Sequence, residues 1–295
     1  MGKKMGRDDT PRRLLTHRFL SEALPFNIHP HTLDMPFELH WHEFFEMTYV
    51  WEGQGVNRIN GLECPLEPGA LFLLTPSDFH EIFGNERTPL QMVNVHFTER
   101  MIGEEVLNLI FQTTGSRRDG SRQFTLEPPL RQRIEDEIGV LLREFQRKED
   151  GFASFLRATL ERILLELLRL MRRHVRYPER NPFTGYKPAI RQALLFIHTH
   201  FRQPMSLESA AKEAGLTPAY FSTSFHHSTG IPFQKYIQEL RLEFARSLLH
   251  GTSVSVTEIC HGAGFSTLTH FEKIFKEKYG VSPKQYQQRS TQRSL

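Results

Sequence analysis

Two stretches of this chain are versions of one another. Residues 206–236, SLESAAKEAGLTPAYFSTSFHHSTGIPFQKY, and 255–286, SVTEICHGAGFSTLTHFEKIFKEKYGVSPKQY, set Gly215 against Gly264, Phe225 against Phe275, Gly230 against Gly280 and Tyr236 against Tyr286. The offset is about fifty residues, and the second copy carries one extra residue after its first glycine. A tandem duplication of this length is one supersecondary unit used twice. In each copy a short run with small apolar residues precedes a glycine: Leu207, Ala210 and Ala211 before Gly215, then Val256, Ile259, Cys260 and Ala263 before Gly264. A second helical run follows, predicted to be capped by Thr217 with Pro218 at its first position in one copy, and by Ser266 in the other. Small residues before a glycine turn let two helices cross closely and steeply, which a helix-turn-helix requires.

The second helix of such a pair lies in the major groove of DNA with its early residues against base edges. Between the copies, PFQKYIQELRLEFARSLLHG reads as one amphipathic helix with Tyr236, Leu240, Phe244 and Leu248 facing inward. At about 1.5 Å per residue, it would hold the two reading helices roughly one turn of B-DNA apart. Charge agrees with a polyanion partner for this end of the chain. From Phe183 onward there are 13 Lys+Arg against 7 Asp+Glu, whereas residues 1–180 carry 24 against 27.

The rest of the chain is built differently. Residues 25–98 alternate short aromatic and branched runs with turn signals at Gly53, Gly55, Gly61, Pro68-Gly69 and Pro76, a pattern of many short strands closing into a sandwich or small barrel. From about residue 128 the period becomes helical. Phe155, Leu156, Thr159, Leu160, Ile163, Leu164, Leu167 and Leu168 form one broad apolar face that must pack on its own barrel or on a partner subunit. RYPERNPFTGYKP, 176–188, reads as an exposed linker. With 295 residues there is room for two cores. The expected fold is therefore α+β: an N-terminal arm at 1–24, a β-barrel at 25–98, a helical linker and dimerisation region at 99–180, and an all-α domain with two helix-turn-helix units at 181–295.

The polar opening segment is not a signal peptide, and no apolar run reaches the roughly 18 residues that a membrane span needs. Only Cys64 and Cys260 occur, so neither a disulfide framework nor a cysteine zinc site is supported, and a cytoplasmic location is expected.

Residues 188–288 resemble the DNA-binding domain of the AraC/XylS family of bacterial transcription regulators. The elements that carry the resemblance are Gly264-Phe265, Phe271, Phe275-Lys276, Gly280, Pro283 and Tyr286. It implies that Ala219, Ser222, Thr223 and His226 face the groove from the first reading helix. Leu268, Thr269, Glu272 and Lys273 do so from the second, with Lys276 on phosphate. Phe225, Phe271, Phe275, Tyr236 and Tyr286 are core. Thr223 and Lys273 depart from the pattern, standing where family members usually carry Arg, so the first helix lacks a guanidinium to fork onto guanine.

A further constellation lies near the N-terminus. His40, His42 and Glu46 in HWHEFFEMTYVWEG, with Gly53 seven residues after the glutamate, are similar to the first motif of the cupin barrel. His80 matches the histidine of that fold's second motif, although no glycine follows Pro76. On one regular strand His40, His42 and Glu46 share parity and face the barrel interior, while Trp41 faces away. Regulators of the AraC family commonly join a cupin-like sensor to the DNA-binding domain, and the arrangement looks most like the rhamnose regulators within it. The resemblance implies a small-molecule inducer, such as a sugar, bound by His40, His42, Glu46, His80 and Asn94. Two other readings stay open. The polar set can be a hydrogen-bonded core, or His40, His42, Glu46 and His80 can hold a divalent Zn, Mn, Fe or Ni ion. His96, a lone histidine two residues after Asn94, reads as core.

No P-loop, dinucleotide glycine fingerprint or G-x-S-x-G elbow is present. The expectation is a non-enzymatic regulator, an activator acting as a homodimer on promoter DNA and RNA polymerase, with no resident cofactor. The rivals are a metal-dependent cupin enzyme bearing a DNA-binding tail and a ligand-independent regulator.

Overall fold

The computed structural model describes residues 12–293 apart from 77, 108, 111–122 and 175–187. Residues 1–11 of the expected arm and nearly all of the expected linker lie outside the described residues. The chain divides into two compact units, one of residues 13–184 and the other from 185 onward.

The first unit holds two five-stranded antiparallel sheets. One runs in the order β1 (Arg12–Leu14), β3 (Phe37–His42), β8 (Phe79–Phe83), β5 (Gly55–Ile59), β6 (Leu62–Leu66). The other runs β10 (Gln123–Thr125), β7 (Ala70–Leu74), β4 (Phe45–Glu52), β9 (Leu90–Phe97), β2 (Phe26–Leu33). Strand β1 and the short helix α1 (Thr16–Phe19) thus fall inside the segment expected to be an arm, and β10 inside the stretch expected as a helical linker and dimerisation region. Val50, Phe72, Leu74 and Met92 of one sheet pack with Ile59, Leu66 and Ile82 of the other, so the two sheets share an apolar core.

Strand β4 is buried on both sides, which explains why its sequence is nearly continuous in apolar residues rather than alternating. Glu46, Thr48 and Val50 face the other sheet. The opposite parity faces helix α2 (Leu130–Arg147), against which α3 (Phe152–His174) packs in turn: Tyr49 hydrogen-bonds Glu135 of α2, and Phe26 on β2 meets the ring of Phe145 at 5.8 Å. The two helices run antiparallel, tied by Arg162–Glu137 and Arg133–Glu166. Leu156, Thr159, Leu160, Ile163, Leu164, Leu167 and Leu168 are all buried within this unit, whereas Phe155, assigned to the same face, remains 58% exposed. The apolar stripe of α3 is therefore consumed mainly by packing inside its own unit.

Gly53 ends β4 with φ of 89°, and a Cβ there would stand 2.1 Å from the Pro89 carbonyl oxygen. The glycine that completes the H-x-H-x3-E-x6-G spacing is thus required by backbone approach, not by a ligand.

The second unit is helical: α4 (Pro188–His200), α5 (Leu207–Glu213), α6 (Pro218–Thr229), α7 (Phe233–Gly251), α8 (Val256–Gly262), α9 (Leu268–Tyr279) and α10 (Pro283–Arg293). The duplication is visible atom by atom. Ser206 and Ser255 each close a capping box on α5 and α8. Phe225 meets Tyr236 edge-on at 5.4 Å, and Phe275 meets Tyr286 likewise at 5.6 Å. Thr217 caps α6, as its sequence predicts. The cap of α9 is instead Thr267, without a side-chain hydrogen bond, so the assignment to Ser266 is corrected. The extra residue in the second copy moves the helix start one position on. No helix among the described residues is long and apolar enough to cross a membrane.

Candidate ligand site and nucleic-acid interface

The interior of the two-sheet unit gathers one carboxylate and six imidazoles. His40 and His42 come from β3, Glu46 from β4, His80 from β8, His96 from β9, and His29 and His31 from the edge strand β2. Register brings them together: His40 lies opposite His80, Glu46 opposite His96, and Asn94 between Thr48 and His29.

The expectation of one regular strand carrying His40, His42 and Glu46 is corrected. The chain bends at Glu43 and Phe44, which puts the histidines in one sheet and the glutamate in the other. Glu43 turns outward to pair with Arg13 and to accept from the Thr16 backbone N–H at 3.1 Å. Phe44 turns inward, stacking on the His42 ring at 4.9 Å. The three residues still converge, because the sheets face one another. Trp41 points away from the cluster, with the Arg13 guanidinium 5.2 Å from its ring centroid.

Each of three imidazoles is anchored through Nδ1. His40 Nδ1 lies 2.8 Å from the Glu38 carbonyl, His42 Nδ1 2.6 Å from the Phe44 carbonyl, and His80 Nδ1 3.3 Å from Asn57 Oδ1. A ring that donates through Nδ1 presents Nε2 as its lone pair. His80 Nε2 stands 3.9 Å from Glu46 Oε1, and His42 Nε2 stands 3.8 Å from Oε2. Both nitrogens are buried with no hydrogen-bond partner. His96 Nε2 approaches Oε2 to 3.2 Å. The Thr48 hydroxyl lies 3.1 Å from Glu46 Oε1 and 2.9 Å from Asn94 Oδ1.

Burial sets the charge state. It pushes His40 and His29 down to about 4, and lowers His31, His42 and His80 as well, in each case against the pull of Glu46. For Glu46 itself burial opposes ionisation, yet the polar contact with His96 and the fields of His80 and His42 outweigh it and hold the carboxyl well below the usual range. Glu46 and these imidazoles thus titrate as one coupled group, in which burial disfavours the charged form of each ring and Glu46 favours it. Within it, His40, Glu46 and His80 each offer one ligand atom, all within 4.8 Å of one another.

Every predicted pocket residue lies on this interior wall, although Asn94 touches Glu46 only by way of Thr48. Sequence reasoning missed His29, His31, Thr48 and Asn57, and it assigned His96 to the core. The available signal was parity: His29 and His31 are two apart on β2, and His96 is two from Asn94 on β9.

In the helical unit, α6 exposes Ala219, Ser222, Thr223 and His226 on one side while burying Phe221 and Phe225 on the other. Helix α9 exposes Thr269, Glu272, Lys273 and Lys276, leaves Leu268 half-buried, and buries Phe271, Ile274 and Phe275. The Thr223 hydroxyl donates to the Ala219 carbonyl at 3.2 Å, spending its proton inside the helix. Gly264 has φ of 89°, and a Cβ there would lie 2.7 Å from the Arg202 carbonyl oxygen. The turn before α9 is thereby packed against the start of the loop after α4.

Residues 28–180 match the AraC-like ligand binding domain, and residues 210–289 match a helix-turn-helix domain. The HTH-type transcriptional activator RhaS of Enterobacter sp. (strain 638) is 25% identical over 272 residues, spanning 92% of this chain and 94% of the relative. RhaS of Salmonella arizonae (strain ATCC BAA-731 / CDC346-86 / RSK2980) matches to the same extent, 25% over 92% and 94%. Among solved structures, the C-terminal domain of AraT, a response regulator from Geobacillus stearothermophilus, is 34% identical over 35% of this chain and 87% of that chain, with a TM-score of 0.34.

Proposed function

The chain belongs to the AraC family of DNA-binding transcription regulators, with its ligand-binding domain N-terminal, and on that premise we propose that it activates transcription when a small polar molecule, such as a sugar, occupies the barrel interior. The observation that carries this reading is the pair of matched helix-turn-helix units, each with a buried aromatic side and an exposed polar side. In this reading α6 and α9 enter successive major grooves. Thr269, Glu272 and Lys273 reach base edges and Lys276 a phosphate from α9, while Ala219, Ser222, Thr223 and His226 make a softer contact from α6.

The effector acts through Glu46, His42, His80, His96 and Asn94, whose lone pairs and carboxylate accept hydrogen bonds from hydroxyl groups. A second copy of the chain and RNA polymerase complete the assembly, in keeping with relatives that are activators. Coupling needs two arrangements of the protein that the effector binds with different affinity, typically a difference of about 1–3 kcal/mol.

Fluorescence anisotropy of the full-length protein on promoter DNA, across a panel of monosaccharides and sugar acids, tests the proposal. Thermal unfolding run alongside identifies binders, since a ligand at 100 times its dissociation constant stabilises by about 2.7 kcal/mol. One sugar that both stabilises the protein and changes DNA affinity about 5- to 150-fold is expected. DNA affinity unchanged by every compound that binds would replace this reading with a ligand-independent regulator.

A further inference from the structure

We propose that the loop at residues 201–203, gripped by Arg241, braces the two helix-turn-helix repeats against each other and so sets the spacing at which α6 and α9 read DNA. Arg241 is in this sense a positioning residue, and its role rests on the DNA-binding reading above.

The need for a brace follows from how the repeats are joined. Helices α4, α5 and α6 pack on one another, while α8 and α10 pack on α9. Helix α7 is the continuous link. Its first turn meets Phe225 of one repeat through Phe233 and Tyr236, and its second half reaches the other through Glu243, 3.6 Å from Lys278. With 19 residues at about 1.5 Å each, α7 is roughly 28 Å long. A tilt of about 10° between its ends lies within ordinary helix curvature. Over that length it moves one reading helix by roughly 5 Å, beyond the ~3.4 Å rise of a base pair. One helix alone therefore leaves the spacing loose.

The loop between α4 and α5 supplies a second connection. Arg241, midway along α7, donates from Nε to the Phe201 carbonyl at 2.6 Å and from Nη2 to the Gln203 carbonyl at 2.8 Å. Two bonds from one planar guanidinium fix the direction of the loop as well as its distance. The Arg202 guanidinium lies over the rings of Phe201 and Phe244, 4.9 and 4.8 Å from their centroids, and those two rings meet edge-on at 5.7 Å. So seated, the loop presents the backbone of Arg202 to Gly264, where a Cβ would stand 2.7 Å from the Arg202 carbonyl oxygen and 2.9 Å from its Cα. Just ahead of the loop, α4 is tied to α7 by His198 and Tyr236 at 2.9 Å. The first repeat is thereby joined to the turn of the second by a route that does not run along α7.

The test uses full-length protein and the duplex it selects from a random pool, remade with its two segments moved one base pair closer or further apart. Fluorescence anisotropy of the unaltered protein should show about a 10-fold loss of affinity for either shift. In Arg241→Met, which keeps the alkyl stem and removes the fork, that penalty should shrink below about 3-fold. Arg241→Lys, with no planar fork to hold both carbonyls, should fall between. It decides the matter should the methionine variant fail to fold. A residue that only stabilised the fold would lower affinity equally at every spacing, so an unchanged penalty in the variants would overturn the proposal. So would an unaltered protein indifferent to spacing. An unchanged penalty with a salt slope lowered by about 1 would assign Arg241 to a phosphate instead, which also overturns it. The two readings fail differently. An unaltered protein that selects no duplex overturns the DNA-binding reading, whereas sequence-selective binding whose spacing penalty survives in Arg241→Met overturns the brace alone.

Discussion

At the scale of single residues, glycines and side chains on α6 and α9 give the sharpest expectations. Gly264→Ala forces a Cβ against the Arg202 carbonyl at a φ of 89°, and should cost about 1–3 kcal/mol, seen as a fall of several degrees in thermal unfolding. Gly215→Ala, with φ of 63° and nothing near the added atom, should cost less. Equal costs would mean that the close approach at Gly264 is not what fixes that turn. On the DNA side, Lys276→Ala should weaken binding to all sequences about equally and reduce the slope of log affinity against log salt by about 1. Thr223→Arg should add selection at one base pair, worth about 1–3 kcal/mol, by placing a guanidinium where the hydroxyl now bonds back to Ala219. Competition between duplexes that differ at single positions reads both. These side chains were legible in the sequence because the duplication and the helical period fix which positions are exposed. The interior cluster was legible only in part. His40, His42, Glu46 and His80 announce themselves by spacing. His29, His31 and His96 become partners through antiparallel pairing across distant strands, which no local pattern encodes.

At the scale of elements, β4 and α3 show what sequence period can and cannot say. A helical face as apolar as that of α3 has to be covered, but the sequence offers no choice between an intramolecular sheet and a second subunit. The structure covers it within its own unit, leaving Phe155 outside. Strand β3 and strand β4 read as one because the bend at Glu43 and Phe44 depends on Arg13 and on Phe19, both remote in sequence. In the helical unit, α4 and α7 are joined by a 2.9 Å hydrogen bond between His198 Nε2 and the Tyr236 hydroxyl. Burial pushes His198 down to about 4 from an ordinary 6.5. The unfolded chain therefore takes up this proton first as pH falls. The stability associated with neutral His198 is present above about pH 6.5 and drains away between there and about pH 4. His198→Gln should flatten that part of the curve of unfolding free energy against pH. An unchanged pH dependence in the variant would show that His198 is not the group responsible.

At the scale of the whole molecule, the two units answer to different physics. The helical unit carries the helix-turn-helix pair and the barrel unit matches a ligand-binding domain, whose guest is placed around Glu46 in the function proposed above. Their connection is a statement about affinities, and it is measurable without knowing the natural promoter. Selection of binding sites from a pool of random duplexes by the full-length protein addresses the central claim most directly. Two conserved segments should emerge about one helical turn apart, near 10 base pairs centre to centre. The segment read by α9 should be more sharply defined than that read by α6, where Thr223 replaces a guanidinium. Enrichment of a single segment, or of no sequence at all, would contradict the account.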